Sequence, residues 1–241
     1  MKLLQIAKKR FIEQDGNNVH FVDDVKANIL LNDINKYPHF FVLACLMDRG
    51  IKAEKAWEIP YKVSVLLKTK TINGFLKYSE KDYQKIFNDN KLHRYNNKMG
   101  TVFYNGLKVI KSKYSGNAAL IWENNPSSAT VVLRFLEFAG SGIKISTMAA
   151  NILARQYKIK FSDYYSIDIS PDIHIQRVMK RMGLVPRNSD LNQIIYKARE
   201  INPEFPGIID FSCWEIGRKW CRPNVPNCES CIINSECKKN L

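Results

Sequence analysis

The sequence predicts an all-α protein with a metal-binding loop near its C-terminal end. Three observations carry that expectation. Apolar residues recur at helical spacing in nearly every patterned segment, strand signals are scarce, and four of the six cysteines fall within the last 21 residues. A chain of 241 residues with 45% hydrophobic content can bury one large core or two modest ones, so disorder is not expected.

The elements follow in order. Met1 to Arg10 alternates charged and apolar residues at helical spacing, without the apolar stretch and small-residue cleavage site of a secretory signal. A folded helix in a cytoplasmic, nucleoid-associated protein is expected there. Phe40 to Met47 is the longest apolar run, eight residues, which suits a buried helix and falls well short of the roughly 20 that a membrane span needs. Val63, Leu66 and Leu67 continue the helical pattern, as do Phe103, Leu107 and Ile110. Asn73-Gly74 and Asn105-Gly106 lack flanking alternation, so they read as helix ends rather than hairpin turns. The polar stretch from Asn88 to Lys98 is the expected long loop. Val131 to Phe138 and Ile145 to Leu153 form two apolar helices around Ala139-Gly140-Ser141-Gly142-Ile143-Lys144. A further helix spans Ile173 to Met182 with Asp172 as its N-cap, and Pro203, Pro206, Pro223 and Pro226 mark where regular helices give way.

Thirty-seven Lys and Arg against 23 Asp and Glu leave a formal charge of +14 and a pI near 9.5. Such an excess repels itself, and nucleic acid is its commonest partner because each cation on a phosphate releases condensed counterions. Composition alone does not separate that partner from a merely basic chain. Two glycines one residue apart between helices permit a tight turn with free backbone N–H groups, and the positive end of the following helix makes them a phosphate cradle. A plain helix–helix turn is the alternative.

Cys221, Cys228, Cys231 and Cys237 have the spacing C-x6-C-x2-C-x5-C. Four thiolates in one 17-residue segment can reach a single centre. Structural zinc usually uses two C-x2-C knuckles, whereas this loop has one such pair and two flanking cysteines at unequal distances. A [4Fe-4S] cluster fits the spacing better, with zinc the alternative. Cys45 and Cys213 sit among apolar residues as small core side chains.

The cysteine spacing, the approach Gly217-Arg218-Lys219-Trp220-Cys221 and the Gly140-Ser141-Gly142 hairpin together resemble the endonuclease III family of DNA glycosylases. The resemblance implies two helical domains with a DNA cleft between them. One is a barrel over residues 36–158 containing a helix-hairpin-helix; the other joins residues 1–35 to 159–241 around an iron–sulfur cluster. It also implies that Lys144 is a nucleophile and that Asp172, within Pro171-Asp172-Ile173-His174-Ile175-Gln176-Arg177-Val178, assists it. Both assignments have plain alternatives, an exposed phosphate-binding lysine and a helix N-cap. Asp168 is the competing carboxylate, without the His-x-x-Arg-Val continuation. Gly140, Ser141 and Gly142, together with Arg218, Lys219 and Arg222, become candidate DNA contacts. The expected activity is base excision by a monomer on double-stranded DNA, with β-elimination at the abasic site and oxidised pyrimidines as the leading substrate class. A monofunctional mismatch glycosylase and a non-catalytic, zinc-stabilised DNA-binding module are the rivals. The sequence departs from the family in two places. Ala139 stands where proline is usual, and Leu46-Met47-Asp48-Arg49-Gly50 lacks the glutamine that fills the gap left by a flipped base, leaving Arg49 or Met47 to do so.

Overall fold

A computed structural model describes residues 1–13 and 19–240, and among them it is helical throughout, with no strand. The α-helices are α1 (Lys2–Glu13), α2 (Val25–Asn32), α3 (Pro38–Met47), α4 (Ala53–Leu66), α5 (Ile72–Phe75) and α6 (Glu80–Asp89). They continue with α7 (Asn96–Lys113), α8 (Ser128–Leu136), α9 (Ile143–Arg155), α10 (Ile173–Arg181), α11 (Leu191–Ile201) and α12 (Asp210–Lys219). Short 3₁₀ turns lie at Ala118–Ile121, Pro206–Ile209 and Asn234–Glu236. No described helix is long and apolar enough to cross a membrane.

Helix α3 has no polar face, so it can be stable only where every side is covered, and each of its residues is buried. It packs against α2, α4, α7, α9 and the first 3₁₀ turn. Phe41 is the hub: the rings of Trp57, Trp122, Phe135 and Tyr157 surround it edge-on or tilted, with centroids between 5.3 and 6.3 Å away.

The structure corrects three local expectations. Asn105-Gly106 lies in the middle of α7, because a Cβ on Gly106 would stand 2.9 Å from Leu46 Cδ1; the glycine lets α7 approach α3. Asn73-Gly74 lies inside α5, where the hydroxyl of Thr71 accepts from the Gly74 N–H at 3.1 Å. The expected long loop shrinks to residues 90–95, since α6 runs on to Asp89 and α7 begins at Asn96. A capping box between Ser79 and Asp82 starts α6, and the His93 N–H bonds to Asn96 Oδ1 at 2.8 Å just before α7. Polar residues that read as loop are capping and bracing helices there.

A second group of helices gathers around α12, which packs on α1, α10 and the Pro206–Ile209 turn. Helix α2, although close to α1 in the chain, packs on α3 and α4 instead. Gly217 permits the contact of α12 with α10: a Cβ there would fall 2.7 Å from His174 Cβ and 3.1 Å from its Cα and carbonyl oxygen. The seam between the two groups is where α9 and α10 present the conspicuous residues of the sequence.

Candidate active site

After α8 the chain reverses through Gly140, whose φ of +89° lies in the left-handed region that favours glycine. The Ser141 N–H bonds to the Phe138 carbonyl at 2.9 Å and closes the turn. Gly142 is extended, with φ −97° and ψ 178°, and a Cβ there would meet nothing within 4 Å. Only the first glycine of the pair is thus demanded by the backbone. Gly142 is the N-cap of α9, and no side chain caps that end, so the N–H groups of the first turn keep their capacity to bind an anion.

Lys144 is exposed in that first turn and lines a cleft of about 1640 Å³, whose walls include Asp48, Arg49, Asp172, Asp210, Trp214 and Arg218. Asp172 is the N-cap of α10: its Oδ1 accepts the N–H groups of His174 at 2.8 Å and Ile175 at 2.9 Å. Its Oδ2 has no hydrogen-bond partner among the described residues. A carboxylate fixed through one oxygen and open at the other therefore shares a cleft with an amine borne on a different helix.

Among the further carboxyls of this cleft, none of them assigned from sequence, two feel the charge of Lys144. Asp210, the first residue of α12, accepts the Ser170 N–H at 2.6 Å, and burial pushes its pKa up to about 7. The neighbouring charge of Asp172 adds to that rise, while the Ser170 bond, Arg155 and Lys144 oppose it. Asp48 closes α3 and accepts the indole N–H of Trp57 at 3.3 Å on Oδ2. Burial raises its pKa as well; Trp57 and Lys144 pull the other way, and Asp172 and Glu54 add to the rise. Both lie directly after buried apolar pairs, Leu46-Met47 and Ile208-Ile209. That is the one local signal they carry, and an aspartate at a helix boundary is too common for it to single them out.

The remaining candidates separate by position. Arg49 lies at the hairpin, its Nη1 donating to the Gly140 carbonyl at 3.3 Å, whereas Met47 is wholly buried and cannot enter DNA. Arg218 lines the cleft, stacked over Trp214 at 4.6 Å and paired with Glu54 at 2.8 Å. Lys219 turns away to Glu215 at 2.6 Å, and Arg222 is exposed on the cysteine loop; neither lines the cleft. Asp168 is engaged outside the cleft by Arg199, at 2.7 and 2.8 Å. His174 Nδ1 lies 2.9 Å from Arg177 Nη2, and that guanidinium also donates to the carbonyls of Gly217 and Cys221, so both residues brace α10 against α12.

The four loop cysteines line one small cavity of about 20 Å³, together with Val178, Met182, Ile216, Trp220 and Ile233. Burial raises the thiol pKa of Cys231, and the other three cysteines add to the effect. Arg181 ties the loop down, donating to the carbonyls of Arg222 at 2.6 Å and Pro223 at 2.7 Å and to Cys221 Sγ at 3.7 Å. Among the described residues no three His, Cys, Asp or Glu side chains gather tightly enough to hold a metal ion. The chemistry of the donor set, four thiols bordering an apolar cavity with a guanidinium and the Lys239 N–H (3.4 Å from Cys237 Sγ) beside them, suits an anionic sulfide cluster better than a single ion.

Solved structures share this arrangement of helices. A trapped covalent intermediate of endonuclease III with DNA, an estranged-adenine complex, superposes with a TM-score of 0.62, covering 98% of this chain and 92% of that one at 15% identity. The chain has the endonuclease III fold. A thermostable thymine-DNA glycosylase gives the same TM-score, 0.62, over 99% and 96% of the two chains at 16% identity. A non-covalent endonuclease III–DNA complex gives 0.56 over 98% and 92% at 16% identity. No sequence family matches the chain, and no curated protein matches it by sequence. The likeness is one of fold.

Proposed function

We propose that the protein is a base excision repair enzyme, a DNA glycosylase with abasic-site lyase activity. The observation that carries this reading is the opening of Lys144 and Asp172 into one cleft beside an uncapped hairpin helix. The +14 charge supplies attraction to DNA, the α9 N-terminus can hold a backbone phosphate, and Arg49 and Arg218 sit where the strand would pass. Arg49 is the residue available to enter the gap left by the flipped nucleotide. Helices α3 to α9 would form one domain and the group around α12 the other.

In this mechanism the neutral amine of Lys144 attacks C1′ of the flipped nucleotide. The C1′–N bond to the base breaks, and the base leaves with the electron pair and takes up a proton. Asp172 stabilises the positive charge that develops on the sugar and accepts a proton from the Lys144 nitrogen. The sugar ring then opens: the C1′–O4′ bond breaks, O4′ takes up a proton, and C1′ becomes double-bonded to the Lys144 nitrogen as a Schiff base. Loss of a C2′ proton to a base then drives β-elimination, which breaks the C3′–O bond, releases the 3′ phosphate oxygen as leaving group and nicks the strand. The four cysteines would hold a [4Fe-4S] cluster whose chemistry is structural, ordering the loop beside α12.

Borohydride reduction on abasic-site DNA tests the lyase. A covalent adduct is expected with the native chain and none with Lys144→Gln. Base release without an adduct would turn the assignment to a monofunctional glycosylase in which Asp172 activates water. Protein purified without oxygen should be brown; a colourless, zinc-loaded preparation would overturn the cluster assignment.

A further inference from the structure

Asp48 is one of several carboxyls in the cleft that the lyase chemistry does not use. Asp48 makes no ion pair among the described residues, and Trp57 holds its Oδ2, leaving Oδ1 without a protein donor. Its surroundings fix its role. Lys144 and Asp172 act on its charge from α9 and from the N-cap of α10, and Glu54 acts from α4. Arg49, its neighbour in the chain, reaches to the Gly140 carbonyl rather than pairing with it. On the glycosylase reading, a nucleotide whose C1′ faces Lys144 would place its base in the cleft that Asp48 also lines. As a carboxylate Asp48 accepts hydrogen bonds, and it lines the cleft with one oxygen that no protein donor holds, which a donor on the base can engage.

Resting on the glycosylase reading above, we propose that Asp48 reads the excised base and selects a guanine-type edge, a ring N–H beside an exocyclic amine. Those two adjacent donors match the two oxygens of a carboxylate. A uracil- or thymine-type edge offers one N–H between two carbonyls, and each carbonyl opposes a carboxylate oxygen. Such a base leaves the acceptor unpaired and is rejected, which moves the substrate class away from oxidised pyrimidines. Trp57 acts as the positioning residue. It stacks on Phe21 at 4.9 Å between ring centroids, and its N–H keeps the carboxylate plane from turning.

Single-turnover excision tests this with three duplexes carrying 8-oxoguanine, 8-oxohypoxanthine or thymine glycol. The first two differ only in the 2-amino group. The native chain should release 8-oxoguanine at least about 100-fold faster than either of the others, as expected of a site built around a substrate N–H. Asp48→Asn keeps the size and can still accept from Trp57, but it replaces one acceptor with a donor, so the ratio of 8-oxoguanine to 8-oxohypoxanthine should collapse toward one. General damage to the cleft would lower both rates together and leave the ratio standing, and that result overturns the proposal. So does equal or faster release of thymine glycol or 8-oxohypoxanthine by the native chain. A native chain that forms the abasic-site adduct yet releases none of the three bases overturns the base assignment alone. One that neither forms the adduct nor releases a base overturns the glycosylase reading with it.

Discussion

The surroundings of α3 and the cysteine loop after α12 are built by opposite means. Every residue of α3 is buried and aromatic rings interlock around it, so apolar area removed from water holds the region together. From Cys221 to Asn240 one three-residue 3₁₀ turn interrupts irregular chain, and only Ile233 is buried. That loop keeps its course through hydrogen bonds from Arg177 and Arg181 and through four thiols that share a cavity. The cleft lies between these regimes and draws on both: Asp48 is anchored at the end of the apolar helix, and Asp172 and Asp210 stand on helices that the arginines brace.

The comparison breaks first if the aromatic hub proves dispensable. Phe41→Ala should lower stability by about 3–5 kcal/mol, measured by denaturant unfolding followed through helical circular dichroism. A loss under about 1 kcal/mol would show that α3 is not the keystone of its region.

Asp210 gives the next largest effect and locates the boundary between the two regimes. Its folded pKa, about 7, is raised above the unfolded 3.8, so the native state keeps a proton that the unfolded state releases. Stability contributed by that proton is present below about pH 4 and is lost as pH rises through 7. Asp210→Asn can still accept from Ser170 and carries no charge. It should therefore be more stable than the native chain at pH 8, by up to roughly 4 kcal/mol, and equal to it near pH 4. Thermal melts across that range check the sign. A variant less stable at pH 8 would mean that Arg155 and Lys144 hold the carboxylate charged.

The smallest effect belongs to the loop. Arg181→Met removes the donors to Arg222 and Pro223 and should cost about 1–3 kcal/mol, confined to the loop. Hydrogen exchange should show residues 221–240 opening while α3 keeps its protection. Uniform loss of protection would mean that the loop and the aromatic core unfold as one unit.

What was legible in the sequence is what depends on local spacing. Helical periodicity exposed the all-α class because a buried stripe must recur with the helix turn, and Phe40 to Met47 announced a central helix by lacking any polar face. The glycine hairpin, Lys144 just inside α9 and Asp172 at a helix start were visible for the same reason, as turn and cap chemistry acts over a few residues. Gly106 misled because its reason lies on another helix: only the approach of Leu46 explains a glycine in mid-helix. The hydrogen bonds that divert polar residues into caps shortened the expected loop before α7 in the same way.

The tertiary structure alone decided the membership of the cleft. Asp48 and Asp210 are 162 positions apart, and each is an ordinary helix-boundary aspartate until packing removes its water and sets it near Lys144. Packing also sent Lys219 to Glu215, buried Met47 and kept Arg218 at the cleft. The sequence by itself determined the helices, the hairpin and the four thiols, since these follow from bonding within a few residues. Only the fold determined which carboxyls face the lysine, because desolvation and through-space charge depend on distances that chain spacing does not contain.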